Sequence, residues 1–225
     1  SRRQRQMCIR DRYWLSSDLI FPDYDEVNSE GIIAVGGDLS PERLILAYQK
    51  GIFPWFNEED PIIWWFPQDR FVLFPENLHV SKSMKKVFRD QIFTYSENKA
   101  FREVITNCSQ AYRKDQDGTW ITNDMIEAYC TLHEMGIAKS IEVWQNDELV
   151  GGFYGIDMGD VFCGESMFAK VSNASKAGFI QFVAKYHKKY KLIDCQVYTE
   201  HLASLGAMEI PVSYTHLRAH ETPEH

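Results

Sequence analysis

The polar residues that could carry out chemistry lie in a short, otherwise apolar segment near the C-terminal end of the sequence. In KLIDCQVY, strand alternation places Asp194 and Gln196 on one face and Cys195 on the other. Two polar side chains in an apolar strand need either hydrogen-bond partners or a functional role. The segment therefore predicts a buried hydrogen-bond network or a functional site, and the residues alone leave both open.

Tryptophan is concentrated in three short segments. Trp55 lies in FPWF, Trp64 and Trp65 lie in IIWW, and Trp120 lies in GTWIT. An indole ring can stack on a nucleobase, which contributes roughly 1–3 kcal/mol per base. Tryptophan flanked by phenylalanine is equally typical of an ordinary hydrophobic core. From the residues alone the core is the favoured interpretation.

Two clusters of basic residues could contact a nucleic-acid backbone. In SKSMKKVFRD they recur at helical spacing: Lys82, Lys85, Lys86 and Arg89. A solvated helix face would show the same pattern, and that alternative stays open. The second basic cluster is Lys185, Lys188, Lys189 and Lys191. It is the weaker candidate because it lies at the C-terminal end of a predicted helix, where cations interact favourably with the helix dipole.

The composition is that of a globular protein. The 225 residues are 44% hydrophobic and 14% aromatic, which is enough for a sizeable core. The formal net charge of −8 argues against indiscriminate nucleic-acid binding, so any RNA contact must come from a local basic patch and stacking. We expect no membrane span and no signal peptide. The five cysteines form no C-x-x-C pair, which predicts neither a disulfide framework nor a zinc site and favours a cytoplasmic protein.

The elements that must position these residues fall into two parts. In residues 13–68, the pattern predicts a strand over Ile32–Val35 and a helix with Ser40 as N-cap, Pro41 in its first turn and Gly51 as terminator. This is a small, aromatic-rich N-terminal domain.

The second part, residues 69–211, combines helices with antiparallel strands. We predict a helix over Asn123–Met135, then strands in SIEVWQ, ELVGGFYGIDM and VFCGESMF joined by the turns ND and GD. A helix over Ala174–Tyr190 and a strand in KLIDCQVY follow. This is the element order of the acetyltransferase-like (GNAT) domain, so the predicted fold class is α+β, with a small N-terminal α/β domain packed on a GNAT-like domain.

The two ends differ from the rest of the chain. Residues 1–12, SRRQRQMCIRDR, and 212–225, VSYTHLRAHETPEH, lack apolar periodicity and resemble translated sequencing-adapter sequence. We predict that both are non-native tails. The first carries five arginines and one aspartate and the second one arginine and two glutamates, so the remaining core has a formal charge of −11.

Nine segments resemble, in order and spacing, the leucyl/phenylalanyl-tRNA–protein transferase family. They are GGDLSPERLILAYQKGIFPWF, IIWW, GTWIT, AYCTLHEMGIAKSIEVW, LVGGFYG, FCGESMF, NASKAGF, KLIDCQV and HLASLGAMEIP. The resemblance covers residues 31–211. It implies transfer of Leu, Phe or Met from aminoacyl-tRNA to proteins with N-terminal Lys or Arg, in the N-end rule pathway of protein degradation. It further implies a monomer that needs no metal or cofactor. Beyond EIP the family pattern continues, whereas this sequence changes to the adapter-like tail.

The resemblance also assigns roles to residues. Trp55 and Trp120 would stack on the 3′ adenosine of tRNA. Glu165 and Asp194 would receive the cationic N-terminus, and Gln196 would hydrogen-bond near the reacting carbonyl. Whether Asp194 is also a base stays open, because an unperturbed aspartate titrates near 4 and an α-amine near 8. Positioning is the favoured role.

An apolar pocket for the transferred amino acid is implied as well. Its walls would be Phe153, Phe162, Met167, Phe179, Phe182 and Ile193, for each of which packed core is the alternative. Phe153 stands where the family usually has methionine, and we expect it to narrow the pocket. In this interpretation the cations of SKSMKKVFRD touch the tRNA backbone.

Two other functions fit the same fold. An acetyltransferase that uses coenzyme A would need a glycine-rich turn of backbone amides at the start of the helix, and FAKVSNASKAGF does not contain one. A non-catalytic module that binds tRNA or protein N-termini would keep the tryptophans and the basic face but would not need Gln196.

Overall fold

The computed structural model describes residues 13–111 and 119–212 of the chain. The predicted tail at 1–12 therefore lies outside the described residues, as does the predicted tail at 212–225 except for Val212. Helices and strands are mixed along the chain and the larger sheet is mostly antiparallel, so the prediction of an α+β fold is confirmed.

The N-terminal part contains a small sheet and one helix. Its elements are β1 (Trp14–Leu15), β2 (Ile32–Gly36), α1 (Pro41–Gln49), β3 (Phe53–Pro54) and β4 (Ile63–Trp65). The strand order is β1-β2-β4-β3. As predicted, α1 begins after Ser40 with Pro41 in its first turn. The chain leaves α1 through Gly51, whose φ of 70° favours glycine.

The C-terminal part is built around a seven-stranded sheet. Its strands are β5 (Asp69–Leu73), β6 (Thr94–Glu97), β7 (Ala138–Gln145), β8 (Glu148–Asp157), β9 (Val161–Ala169), β10 (Leu192–Asp194) and β11 (Met208–Pro211). The order is β11-β5-β10-β9-β8-β7-β6, and only β9 and β10 are parallel neighbours. The helices are α2 (Lys82–Arg89), α3 (Phe101–Gln110), α4 (Asn123–Glu134), α5 (Ala174–Tyr186) and α6 (Glu200–Ala203). Helix, three antiparallel strands, helix and strand therefore follow one another from α4 to β10 as predicted.

The predicted hairpin turns are present. Asn146 and Asp147 have φ values of 51° and 64°, as a two-residue type I′ turn requires, and Gly159 has φ 85°. The predicted ends of two later elements are wrong. α5 ends at Tyr186 instead of Tyr190, because the chain turns there and Tyr190 packs into the core.

The strand predicted in KLIDCQVY is also shorter than expected. β10 ends at Asp194, because Gln196 has a left-handed backbone with φ 63° that interrupts the regular extended geometry of a strand. Asp194 and Gln196 therefore do not share a strand face, contrary to the alternation argument. Both are nevertheless buried, and the Gln196 N–H donates to Asp194 Oδ1 at 2.8 Å.

Two hydrophobic clusters lie against the seven-stranded sheet. The first cluster joins the N-terminal part to α3 and α4, and includes Leu44, Trp64, Tyr129 and Tyr154. The second cluster joins α2 and α5 to the sheet, and includes Phe162. The N-terminal part thus shares a core with the larger sheet. Within the residues described, no helix has both the length and the apolar character needed to cross a membrane.

A β-bulge in β9 places Glu165. Gly155 pairs with Gly164 and Tyr154 pairs with Ser166, so Glu165 is the extra residue on β9. Phe162, before the bulge, and Met167, after it, both contact the second cluster. They are five residues apart, whereas two residues on the same face of an uninterrupted strand are separated by an even number. The bulge therefore reorients the side chains and leaves Glu165 directed at α4.

Of the two paired glycines beside the bulge, Gly155 and Gly164, only Gly155 is packed too closely to carry a side chain. A Cβ on Gly155 would collide with the Cys163 carbonyl and the Phe162 ring, whereas a Cβ on Gly164 would meet only Asp194 O at 3.6 Å. We predict that Gly155→Ala lowers the free energy of unfolding by about 1–3 kcal/mol, as overpacking does. Gly164→Ala, the matched control, should stay within about 1 kcal/mol of wild type. Urea unfolding measures both, and equal effects would show that the close packing at Gly155 is not required.

Candidate active site

Glu165 lies at the centre of a buried polar network. Only 9% of its surface is exposed. Gln196 Nε2 donates to Glu165 Oε1 at 2.7 Å, and the Tyr129 hydroxyl donates to Oε2 at 3.4 Å. The Tyr129 hydroxyl also makes a short hydrogen bond with the Tyr48 hydroxyl of α1. The network therefore joins the N-terminal part, α4, β9 and the loop after β10.

The environment of Glu165 disfavours its charged form. Burial, together with the nearby charge of Asp194, raises the pKa of Glu165 to about 7, although the hydrogen bonds from Tyr48, Gln196 and Tyr129 act in the opposite direction. Within the described part of the chain, no basic side chain forms an ion pair with Glu165. A carboxylate of this kind can accept a proton near neutral pH.

Asp194 has a different environment from the one expected. Its Oδ2 forms a short, buried ion pair with Arg70 Nη2, and its Oδ1 accepts the Gln196 N–H. A guanidinium group already occupies the position where the sequence argument placed a substrate amine. Asp194 is therefore held by protein groups on both oxygens, which suits positioning.

Arg70 was missed in the sequence. It begins the apolar run RFVLF, and a lone charge at the start of a buried strand could have indicated a buried partner. No pattern in the sequence specified which partner, because Arg70 and Asp194 are 124 residues apart.

The tryptophans separate into two kinds. Trp64 is fully buried and donates its indole N–H to Gly36 O at 2.9 Å, so it is core as predicted. Trp55 and Trp120 are only partly buried, and both pack against the first cluster. Trp55 contacts Trp65, with ring centroids 5.4 Å apart and a hydrogen bond from Trp65 Nε1 to Trp55 O. Their partial exposure is compatible with stacking on adenosine, which stays a prediction.

The residues predicted to form the amino-acid pocket lie together in the second cluster. Five of them are almost fully buried: Phe153, Phe162, Phe179, Phe182 and Ile193. Met167 is partly buried beside them. The Phe153 ring lies 5.7 Å from Phe179 and 5.3 Å from Phe182, so these side chains fill the space between sheet and α5. A substrate side chain would enter this cluster only if the rings move.

The basic candidates differ in how they are paired. On α2, Met84 and Val87 face the core and all four predicted cations are exposed: Lys82, Lys85, Lys86 and Arg89. Of these four, Arg89 pairs with the neighbouring Asp90 at 3.1 Å. In the second basic cluster, Lys185 pairs with Glu97, Lys189 with Asp157 and Lys191 with Asp160. The α2 face is therefore the better candidate for contact with phosphates.

The described residues contain no group of three or more His, Cys, Asp or Glu side chains arranged to hold a metal ion. Four of the cysteines are buried: Cys108, Cys130, Cys163 and Cys195. Burial raises the pKa of Cys163 and Cys195, which disfavours the thiolate form that a nucleophile would need.

The raised pKa of Glu165 predicts a pH-dependent stability. Between the ordinary value of 4.5 and about 7 the native protein keeps a proton on Glu165 that the unfolded chain releases, so wild type loses stability as pH rises through this window. Glu165→Gln removes this titration. We expect the free energy of unfolding of the variant to exceed that of wild type by a few kcal/mol at about pH 8 and by little at about pH 5. This magnitude follows because one pKa unit corresponds to about 1.4 kcal/mol.

Urea unfolding at both pH values checks this prediction. Glu148→Gln, which removes an exposed carboxylate at the start of β8, is the matched control and should show no such difference. A Glu165→Gln variant whose difference from wild type is the same at both pH values would contradict the raised pKa.

Comparison with known proteins identifies the family. The leucyl/phenylalanyl-tRNA protein transferase family matches residues 72–218, and the N-terminal domain of that family matches residues 37–68. Curated proteins with the same description are similar over most of their length. One from Flavobacterium johnsoniae is 62% identical over 200 residues, covering 88% of this chain and 94% of that protein. One from Escherichia coli O1:K1 / APEC is 53% identical over 182 residues, covering 80% of this chain and 76% of that protein.

Among solved structures, a GCN5-related N-acetyltransferase from Kribbella flavida is similar with a TM-score of 0.38 and 10% identity, over 75% of this chain and 60% of that chain. The sequence matches confirm the resemblance that the nine segments predicted. The chain belongs to the leucyl/phenylalanyl-tRNA protein transferase family.

Proposed function

We propose that this chain transfers leucine or phenylalanine from tRNA to the N-terminal amine of an acceptor protein and forms a peptide bond. Relatives with 53–62% sequence identity are named leucyl/phenylalanyl-tRNA–protein transferase. The hydrogen-bonded pair of Glu165 and Gln196 is the observation that supports it best, because it combines a proton acceptor with a carbonyl-binding group.

In the proposed reaction the acceptor amine arrives as an ammonium ion and gives one proton to the Glu165 carboxylate. The pKa of Glu165, about 7, lies close to that of an α-amine, near 8, so this transfer costs little. The neutral amine then attacks the ester carbonyl. The C–N bond forms, the bond from carbonyl carbon to ribose oxygen breaks, and a second amine proton passes to that oxygen. The third proton stays on the new amide.

Gln196 is proposed to stabilise the carbonyl oxygen during this step. Its carboxamide nitrogen carries two hydrogens, and one is used in the hydrogen bond to Glu165. The second can be donated to the oxygen on which negative charge develops. Removing one such donor typically costs about 10²–10³ in kcat. Asp194 fixes the backbone of Gln196 and, being paired with Arg70, is proposed to position groups without taking the proton.

The aminoacyl-tRNA is proposed to bind with its 3′ adenosine between Trp55 and Trp120. The side chain of its amino acid is proposed to enter the second hydrophobic cluster. That pocket would have to open among Phe153, Phe179 and Phe182. Large apolar pockets discriminate weakly among large apolar groups, so methionine is included as a third donor. Acceptors are proposed to begin with Lys or Arg, because the core is acidic and no cation among the described residues pairs with Glu165. Such transfer would mark proteins for degradation by the N-end rule in the cytoplasm.

A transfer assay with an acceptor panel tests the proposal. Leucyl-tRNA is incubated with peptides that begin with Lys, Arg, Ala or Glu, and acetyl-coenzyme A replaces the tRNA in a parallel reaction. We expect leucyl transfer to the Lys and Arg peptides and little to the others. Equal transfer to all four would refute the acceptor assignment. Acetylation without leucyl transfer, or binding of tRNA without any product, would refute the transferase.

The salt dependence of tRNA binding tests the α2 face. Each lost phosphate contact should reduce the slope of log affinity against log salt by about 0.7–0.9, so Lys85→Ala should flatten it by about this amount. Trp120→Ala should weaken binding at every salt concentration, because stacking is largely independent of salt. Lys99→Ala, which removes an exposed lysine outside both basic clusters, is the control and should leave the slope unchanged. The same slope in wild type and Lys85→Ala would remove α2 from the interface.

A further inference from the structure

Arg70 connects three parts of the molecule through one guanidinium group. It is the second residue of β5 and is only 3% exposed. One of its nitrogens pairs with Asp194 Oδ2, and the other donates to Gly51 O at 3.0 Å. Its guanidinium carbon lies 5.0 Å from the centre of the Phe53 ring, within the range of a cation–π contact.

The Gly51 and Phe53 contacts fix the segment that carries Trp55. Gly51 is the terminator of α1, and Phe53 belongs to β3, two residues before Trp55. Arg70 is thus the direct side-chain link between this segment and the end of β10. The fork geometry of the guanidinium allows both hydrogen bonds at once, which a lysine ammonium on a flexible stem could not reproduce with the same precision.

The Asp194 contact extends the link to the reacting groups. Asp194 Oδ1 accepts the Gln196 N–H and so holds this residue in its left-handed backbone conformation. Gln196 Nε2 in turn donates to Glu165. A continuous chain of hydrogen bonds therefore runs from Gly51 through Arg70, Asp194 and Gln196 to Glu165.

We infer that Arg70 is a positioning residue that fixes the donor-binding segment 51–55 relative to Gln196 and Glu165, an inference that rests on the proposed transferase function. It does not contact the reacting atoms in this scheme. Its role is to keep the ester carbonyl, held through adenosine on Trp55, at the distance from Gln196 and Glu165 that the attack requires. Misplacement by about 1 Å can cost about 10²-fold in rate.

Substitution and chemical rescue test this role. Arg70→Ala should lower kcat for leucyl transfer by about 10²-fold. Added guanidinium ion at millimolar concentration should restore a measurable part of this loss, whereas sodium chloride at equal ionic strength should not. Arg70→Lys keeps the charge beside Asp194 and should fold, but it should lose activity because one ammonium cannot serve Asp194 and Gly51 together.

Arg43→Ala is the matched control. Arg43 is also fully buried, and it bonds Ser16 O at 2.8 Å and Asp38 at 3.4 Å, away from Asp194. Its loss should lower the melting temperature and leave the kcat of the folded protein unchanged. A folded Arg70→Lys variant with wild-type kcat would overturn the inference. So would a loss in Arg70→Ala that guanidinium does not rescue and that Arg43→Ala reproduces.

A binding measurement separates this inference from the proposed function. A leucyl-adenosine analogue with an amide in place of the ester cannot be transferred, and quenching of tryptophan fluorescence reports its binding. If wild type binds the analogue but transfers no leucine from leucyl-tRNA in the separate transfer assay, the proposed function fails, and Arg70 is judged by binding alone. Weaker binding in Arg70→Ala, restored by guanidinium, supports the inference. Unchanged binding in that variant, or no binding by wild type, contradicts it.

Discussion

A carboxylate loses its hydration when it is buried, and only hydrogen bonds or an opposite charge can compensate for that loss. Two carboxylates lie close together in this protein, and they are compensated differently. Asp194 receives a guanidinium group and a backbone N–H, whereas Glu165 receives hydrogen bonds from uncharged groups. Asp194 is held in place by its ion pair, whereas burial raises the pKa of Glu165 to about 7. The proposed division of work between positioning and proton transfer depends on this difference.

The backbone makes this arrangement possible at two irregular positions. The bulge in β9 directs Glu165 toward Tyr129, and the left-handed conformation of Gln196 ends β10 and brings its carboxamide to Glu165. Both irregularities disrupt regular strand pairing, and bulges and strained backbone commonly occur beside active sites. The hydrogen bonds from the Gln196 N–H to Asp194 and from the Gln196 side chain to Glu165 offset the cost of the left-handed conformation.

Periodic features of this fold could be predicted from the sequence, while features that depend on long-range contacts could not. The start of α1 after Ser40 and the ND hairpin turn followed from local residue preferences, because helix starts and turns are local. The end of β10 was missed because Gln196 is not a residue that usually adopts a left-handed backbone. The bulge at Glu165 was missed because pairing with β8 defines it.

The candidate site shows the same division. Glu165, Asp194 and Gln196 could be selected from family resemblance, and the structure brings all three together. Their partners come from distant segments of the chain: Arg70, Tyr48 and Tyr129. In the sequence, none of these three can be distinguished from an ordinary strand or helix residue. The six pocket candidates were selected on the same grounds, yet five of them form a closed cluster, because aromatic side chains pack together when no ligand separates them.

The pH dependence of kcat for leucyl transfer, at saturating donor and acceptor, tests the central claim that Glu165 accepts the proton. In wild type, kcat should fall tenfold per pH unit below about pH 7, because protonated Glu165 cannot take a proton from the acceptor. In Glu165→Gln this fall should be absent from that range and kcat should be lower by about 10²–10⁴-fold. An unchanged pH profile in an active Glu165→Gln variant would show that another group accepts the proton.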